Sequence, residues 1–212
     1  MGLININTIG AFIITILLAG IIQKRPSPQK IEEKLNNLKL YSNIILTLLL
    51  LFLFYTFAFK SSYQFNLIYA PTILVSGLTI WIHEAGHIYW MWGGDTMHSF
   101  GGTFNEIIFP GIPFAYCLYK NHFSLAGLFI FWLGLNCFGI SRYMGDARAQ
   151  VLPLLGGDSL RHDWNNIFKN LDLLELDQEI AFIVKILAWC FSIMGLIIFT
   201  NFGKKLLTRT YQ

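Results

Sequence analysis

Hydrophobic positions along the chain fall in long blocks separated by short polar stretches. Leu3 to Ile22 and Leu40 to Phe59 are uncharged runs of 20 residues each, about what a helix rising 1.5 Å per residue needs to cross a hydrocarbon layer ~30 Å thick. Leu67 to Trp92 is a third apolar segment, and its only ionisable groups are His83, Glu84 and His87. Ile107 to Tyr119 carries Pro110, Gly111 and Pro113 and is short for a span. It reads either as a full crossing or as a broken or re-entrant piece, because irregular backbone at membrane depth is tolerated only where protein or a water-filled cavity satisfies it. Phe123 to Ser141 and Ile180 to Phe202 complete the set. The pattern predicts an all-α fold, a polytopic transmembrane helical bundle of about six spans. It divides into two N-terminal helices with a basic loop (residues 1–66), a membrane core (67–179) and a C-terminal helix with its tail (180–212).

The polar stretches set the orientation. Gln23 to Lys39 holds Lys24, Arg25, Lys30, Lys34 and Lys39, which marks a cytoplasmic loop by the positive-inside rule. If all six segments cross, the third runs from outside to inside, with His83 to His87 in its cytoplasmic third and the loop after the fifth span on the same side. The first segment has no basic stretch before it and exceeds the usual 7–15 apolar residues of a cleaved signal, so it is expected to stay as an anchor. A multi-pass protein of the plasma (inner) membrane follows.

Composition agrees and removes other classes. Of 212 residues 55% are hydrophobic and 13% charged, against roughly 45–50% and about 25% in a soluble domain. A net charge of +3 without a Lys/Arg block leaves no electrostatic footprint for nucleic acid, and there is no Gly-rich phosphate loop. Cys117, Cys137 and Cys190 are dispersed in apolar stretches and read as small buried hydrophobes, not as a disulfide frame or a thiolate metal site.

His83-Glu84-Ala85-Gly86-His87 is an H-E-x-x-H sequence. Positions i and i+4 share one helix face, so both imidazoles can hold one metal ion while Glu84 reaches its water. Zinc there lowers the pKa of bound water toward 7 and polarises a carbonyl, and the carboxylate takes the proton. Ionisable side chains inside a span are costly and functional by default. A di-iron bundle would need a second E-x-x-H, which the chain lacks, and two histidines one turn apart cannot ligate opposite faces of a haem. Trp81, Trp90 and Trp92 fit interfacial anchoring and packing. Lys185 is expected to snorkel to the surface.

A catalytic zinc site takes a third protein ligand and keeps one position open. The candidates lie after the fifth span, between Asp146 and Asp163. There the sequence resembles the site-2 protease-like intramembrane zinc metalloproteases, which pair H-E-x-x-H with a later N-x-x-P-x-x-x-x-D-G segment. Gln150, Pro153 and Asp158 stand at those spacings, with Gln150 in place of Asn and Ser159 in place of Gly. The resemblance covers about Leu67 to His162 and includes the Gly-rich stretch after the metal helix. It implies that His83, His87 and Asp158 hold zinc, that Glu84 is the general base, and that Gln150 orients the substrate.

His162, four residues after Asp158, is a further candidate ligand or a donor to a developing oxyanion. Asp146 is expected to pair with Arg142 or Arg148, or else to support a ligating histidine. The expected function is hydrolysis of peptide bonds in membrane-embedded or juxtamembrane substrates, received as an extended strand by a Gly/Pro-broken region from Gly101 to Pro113. Two alternatives remain open at this point: a metal-binding membrane protein without proteolysis, and a membrane zinc hydrolase acting on lipid or another amide or ester.

Overall fold

A computed structural model describes residues 27–60, 66–152 and 162–208, with side chains as far as Asn201. Six helices account for most of it: α1 (Pro28–Phe59), α2 (Ala70–Trp90), α3 (Gly94–Tyr119), α4 (Phe123–Gly145), α5 (Asp163–Asn170) and α6 (Asp177–Thr208). No strand occurs among the described residues. Four helical segments are long and apolar enough to cross a membrane: Pro28–Phe59, Leu67–Tyr119, Phe123–Gly145 and Leu174–Asn201. The expected Leu3 to Ile22 span lies outside the described residues.

Two expectations are corrected. Gln23 to Lys39 is not a loop throughout, because α1 begins at Pro28. Ser27 Oγ accepts the Lys30 amide at 3.4 Å, and proline suits the first helical position, where its missing N–H costs nothing. The Gly-rich piece and Ile107 to Tyr119 are also not separate or re-entrant. They form the single helix α3, which leaves no strand edge between Gly101 and Pro113. Leu67–Tyr119 folds back at Gly94, whose φ of 85° only glycine adopts freely.

Contacts divide the chain at Ser42, and the described residues from Asn43 onward form one compact unit. Within it α4 is the central helix. Ile130, Phe131, Leu135 and Phe138 meet Leu50, Leu53 and Phe57 of α1 and Ala188 and Phe199 of α6. The α4–α6 contact is close because it is built on small residues: a Cβ on Gly127 would come within 2.6 Å of the Phe199 amide, and one on Gly195 within 2.6 Å of Phe131. Such faces let helices approach where lipid offers no hydrophobic drive to associate. Phe182, Ile183, Ile186 and Ile197 of α6 point outward, as a lipid-facing surface would.

Helices α2 and α3 pack antiparallel through glycine. A Cβ on Gly86 would lie 2.2 Å from the Gly101 carbonyl oxygen, and one on Gly102 would lie 2.6 Å from the His83 ring. Pro110 sits inside α3 without ending it. Its ring cannot donate to the carbonyl of Glu106 four residues back, and Asn136 Nδ2 of α4 takes that carbonyl instead at 2.8 Å. Thr79 donates to Asn136 Oδ1 at 3.0 Å, so one amide ties three helices together and satisfies the acceptor that proline leaves free.

Candidate metal centre

Helix periodicity puts His83 and His87 on the same side of α2, toward α3 and α5. Glu106 of α3 accepts the Nδ1 hydrogen of His83 at 2.5 Å. The carbonyl of His98, also in α3, accepts the Nδ1 hydrogen of His87 at 2.8 Å. Both acceptors fix the tautomer, so both rings turn Nε2 the other way. There the two Nε2 atoms meet Asp163 Oδ2, each at 3.2 Å.

Asp163 is the first residue of α5, whose N-cap is His162. Its amide donates to Tyr143 Oη at 3.1 Å, and the Tyr143 hydroxyl donates to Asp163 Oδ2 at 3.3 Å. Burial favours the protonated form of Asp163, but hydrogen bonds and charge from His83 and His87 outweigh it and hold the carboxyl down at about 2. A carboxylate therefore faces two ring nitrogens whose partner hydrogens are engaged elsewhere. Each contact needs a cation: either a second proton on each ring, or one metal ion shared by all three groups.

His83, His87 and Asp163 are a group able to hold a metal, their ligand atoms all lying within 4.8 Å of one another. Tetrahedral bonds of ~2.0–2.1 Å place ligand atoms about 3.3 Å apart, which the two 3.2 Å separations approach. The donor set of two imidazoles and one carboxylate suits zinc. The carboxylate of Glu106 and the His98 carbonyl behind the rings are the kind of partners that orient zinc-binding histidines.

The other residues singled out in the sequence lie as follows. Glu84 is next to His83 on α2, exposed, and has no hydrogen bond or ion pair among the described residues. Asp158 lies outside the described residues. His162 is buried, with Nε2 3.3 Å from Asp146 Oδ2 and Nδ1 accepting the Asn165 amide at 3.3 Å. Burial lowers its pKa, and both nitrogens are engaged by Asp146 and Asn165. Gln150 is exposed in a left-handed turn, φ 50°, where its amide donates to the Asp146 carbonyl at 2.8 Å.

Asp146 pairs with neither arginine, contrary to expectation. Its carboxylate accepts the Val151 and Leu152 amides, each at 3.0 Å. Arg148 instead clamps the start of α6, with Nη2 2.6 Å from Asp177 Oδ1 and Nη1 3.1 Å from Glu175 Oε2. Cys117 and Cys137 are buried, but Cys190 is exposed on α6, because an apolar helix with one free face leaves some of its apolar positions uncovered.

Asp163, Glu106 and Tyr143 were not singled out in the sequence. Glu106 had a signal: it is the only Asp, Glu, Lys or Arg between Thr96 and Tyr119, a buried acid in an apolar helix. Comparison with models of protein families, with curated proteins and with solved structures finds no match to this chain.

Proposed function

We propose that the chain is a membrane-embedded zinc metallopeptidase in which His83, His87 and Asp163 hold the ion and Glu84 is the general base. The observation that carries this reading is the convergence of two Nε2 atoms on one carboxylate oxygen, with both Nδ1 hydrogens already engaged. Three protein ligands leave a fourth position for water or substrate, the arrangement of a catalytic rather than a structural zinc. Zinc bound there supplies Lewis acidity toward a carbonyl and brings the pKa of water toward 7.

The chain's own residues do the rest. Glu84 stands beside His83 and is not tied up by a salt bridge, so it is free to take a proton from the attacking water and deliver it to the leaving amine. Asp163 and Glu106 hold the two rings in one orientation, and Tyr143 holds Asp163. The substrate class is a membrane-embedded or juxtamembrane peptide, as the resemblance implies, and Gln150 in its exposed turn takes the orienting role. The site faces the cytoplasmic side of the plasma (inner) membrane.

Glu84→Gln tests the reading. Membranes incubated with the wild-type protein and with the variant are compared by mass spectrometry for new peptide N-termini, with zinc content measured alongside. N-termini formed by the wild type alone, with zinc retained in both proteins, are the expected result. Glu84-dependent release of lipid fragments in their place would make it a lipid hydrolase. Retained zinc with no Glu84-dependent product would make it a metal-binding protein.

A further inference from the structure

The sequence marks His162 as a donor to a developing oxyanion, but both of its ring nitrogens are engaged, Nε2 with Asp146 and Nδ1 with the Asn165 amide. The tyrosine beside it is placed differently. The Tyr143 ring lies 4.3 Å from that of His162 and 6.2 Å from that of His83, and its hydroxyl meets Asp163 twice. Oη accepts the Asp163 amide at 3.1 Å and donates to Oδ2 at 3.3 Å. Among the described residues, Tyr143 is the one neutral side chain outside the His83–His87–Asp163 group that donates a hydrogen bond to it. The Glu84 carboxylate is close enough for its charge to act on that hydroxyl.

The two bonds are unequal. An amide at 3.1 Å is at ordinary hydrogen-bond length and pins the tyrosine oxygen. A hydroxyl donating to a carboxylate ordinarily closes to ~2.5–2.7 Å, so at 3.3 Å its single hydrogen is loosely committed. Oδ2 also faces the Nε2 atoms of His83 and His87, each at 3.2 Å. A cation shared by those three atoms draws electron density from Oδ2 and weakens it further as an acceptor. The result is a donor whose oxygen is fixed in advance and whose hydrogen is free to turn.

We propose that Tyr143 is a catalytic residue, its hydroxyl donating to the oxyanion of the tetrahedral adduct. The inference rests on the peptidase reading and names a further residue of that site. As water adds to the scissile carbonyl, a C–O bond forms, the carbonyl π pair moves onto oxygen, and Glu84 takes the water proton. The Tyr143 hydrogen turns from Oδ2 to the new oxyanion. When the C–N bond breaks, the carbonyl re-forms, Glu84 gives its proton to the leaving nitrogen, and Tyr143 turns back to Oδ2. Tyr143 keeps its own proton throughout. Because the Asp163 amide holds Oη in place before charge appears, stabilising that charge needs little reorganisation.

The test uses the full-length protein in detergent, loaded with cobalt(II) so that visible absorption reports on the ion, beside Tyr143→Phe, which keeps the ring against His162. Two probes are titrated. N-phosphoryl-leucinamide carries tetrahedral oxygens that mimic the oxyanion, whereas leucinethiol reaches the ion through sulfur and offers no such oxygen. Tyr143→Phe is expected to bind the phosphoryl compound about 10–100-fold more weakly, with thiol affinity and cobalt stoichiometry unchanged. The rate of Glu84-dependent N-terminus formation in membranes is expected to fall at least as far. A phosphoryl compound held no more tightly by the wild type than by Tyr143→Phe would overturn the inference. Loss of cobalt from the variant, or equal weakening of both probes, would also overturn it, making Tyr143 a positioning residue for Asp163 alone. A wild type that takes up no cobalt, or forms no Glu84-dependent N-termini, would instead overturn the peptidase reading beneath it.

Discussion

His83 donates its Nδ1 hydrogen to Glu106 at 2.5 Å across the α2–α3 contact, and that one bond decides which nitrogen of the ring faces Asp163. Glu106 is therefore a positioning residue, itself held by its neighbours: Asn136 takes its carbonyl because Pro110 cannot. Replacing Glu106 by leucine removes the acceptor and frees the ring, and zinc affinity is expected to fall by about 10–100-fold. Glu106→Gln keeps an acceptor oxygen and should lose less. Competition against a chromophoric chelator measures both variants.

The glycines between α2 and α3 separate stability from metal binding. Gly86→Ala drives a Cβ to 2.2 Å from the Gly101 carbonyl, backbone that cannot yield, whereas the atoms nearest a Cβ in Gly102→Ala are those of the His83 ring, at 2.6 Å. The first should destabilise by ~1–3 kcal/mol or more, read as a lower unfolding temperature in detergent. The second should displace His83 and show mainly as lost zinc affinity. Gly77→Ala and Gly111→Ala, with nothing within 4 Å of the new Cβ, should lower neither, since alanine is the better helix former by ~1 kcal/mol.

Asp146 and His162 lie 3.3 Å apart and support the chain leading from α4 through the Val151, Leu152 and Asn165 amides. Asp146→Ala removes the acceptor of the Val151 and Leu152 amides, at a cost of ~0.5–1.5 kcal/mol for each hydrogen bond lost, since both residues are exposed and water can replace the carboxylate. His162→Ala removes the cap of α5, worth about 1 kcal/mol. Both variants are expected to unfold at lower temperature while still binding zinc at saturating metal. Loss of zinc from a folded His162→Ala protein would make His162 a ligand.

The helical class and the H-E-x-x-H pair were legible because both depend on local rules, apolar runs long enough to span and an i, i+4 spacing on one face. The start of α1 was equally local, yet the lysines of residues 24–39 masked the Ser27–Pro28 signal. Continuity of α3 was not legible. Gly101, Gly102, Pro110 and Pro113 discourage a helix in isolation, and they are tolerated because α2 fits against the glycines and Asn136 answers the proline. Asp163 was hidden for a different reason. Its distance of 80 residues from His83 is closed by tertiary packing of a short helix, and neither its spacing nor its neighbours in sequence reveal which side of α5 meets α2. Trp164, Ile167 and Phe168, which bury that helix, fix its rotation, and with it the direction of the carboxylate.

Metal content of purified Asp163→Ala, set beside the wild type and Asp158→Ala, decides whether Asp163 holds the ion with His83 and His87. Stoichiometric zinc is expected in the wild type and in Asp158→Ala, and its loss from a folded Asp163→Ala protein. Zinc absent from the wild type, or retained at full stoichiometry and affinity by Asp163→Ala, would contradict it.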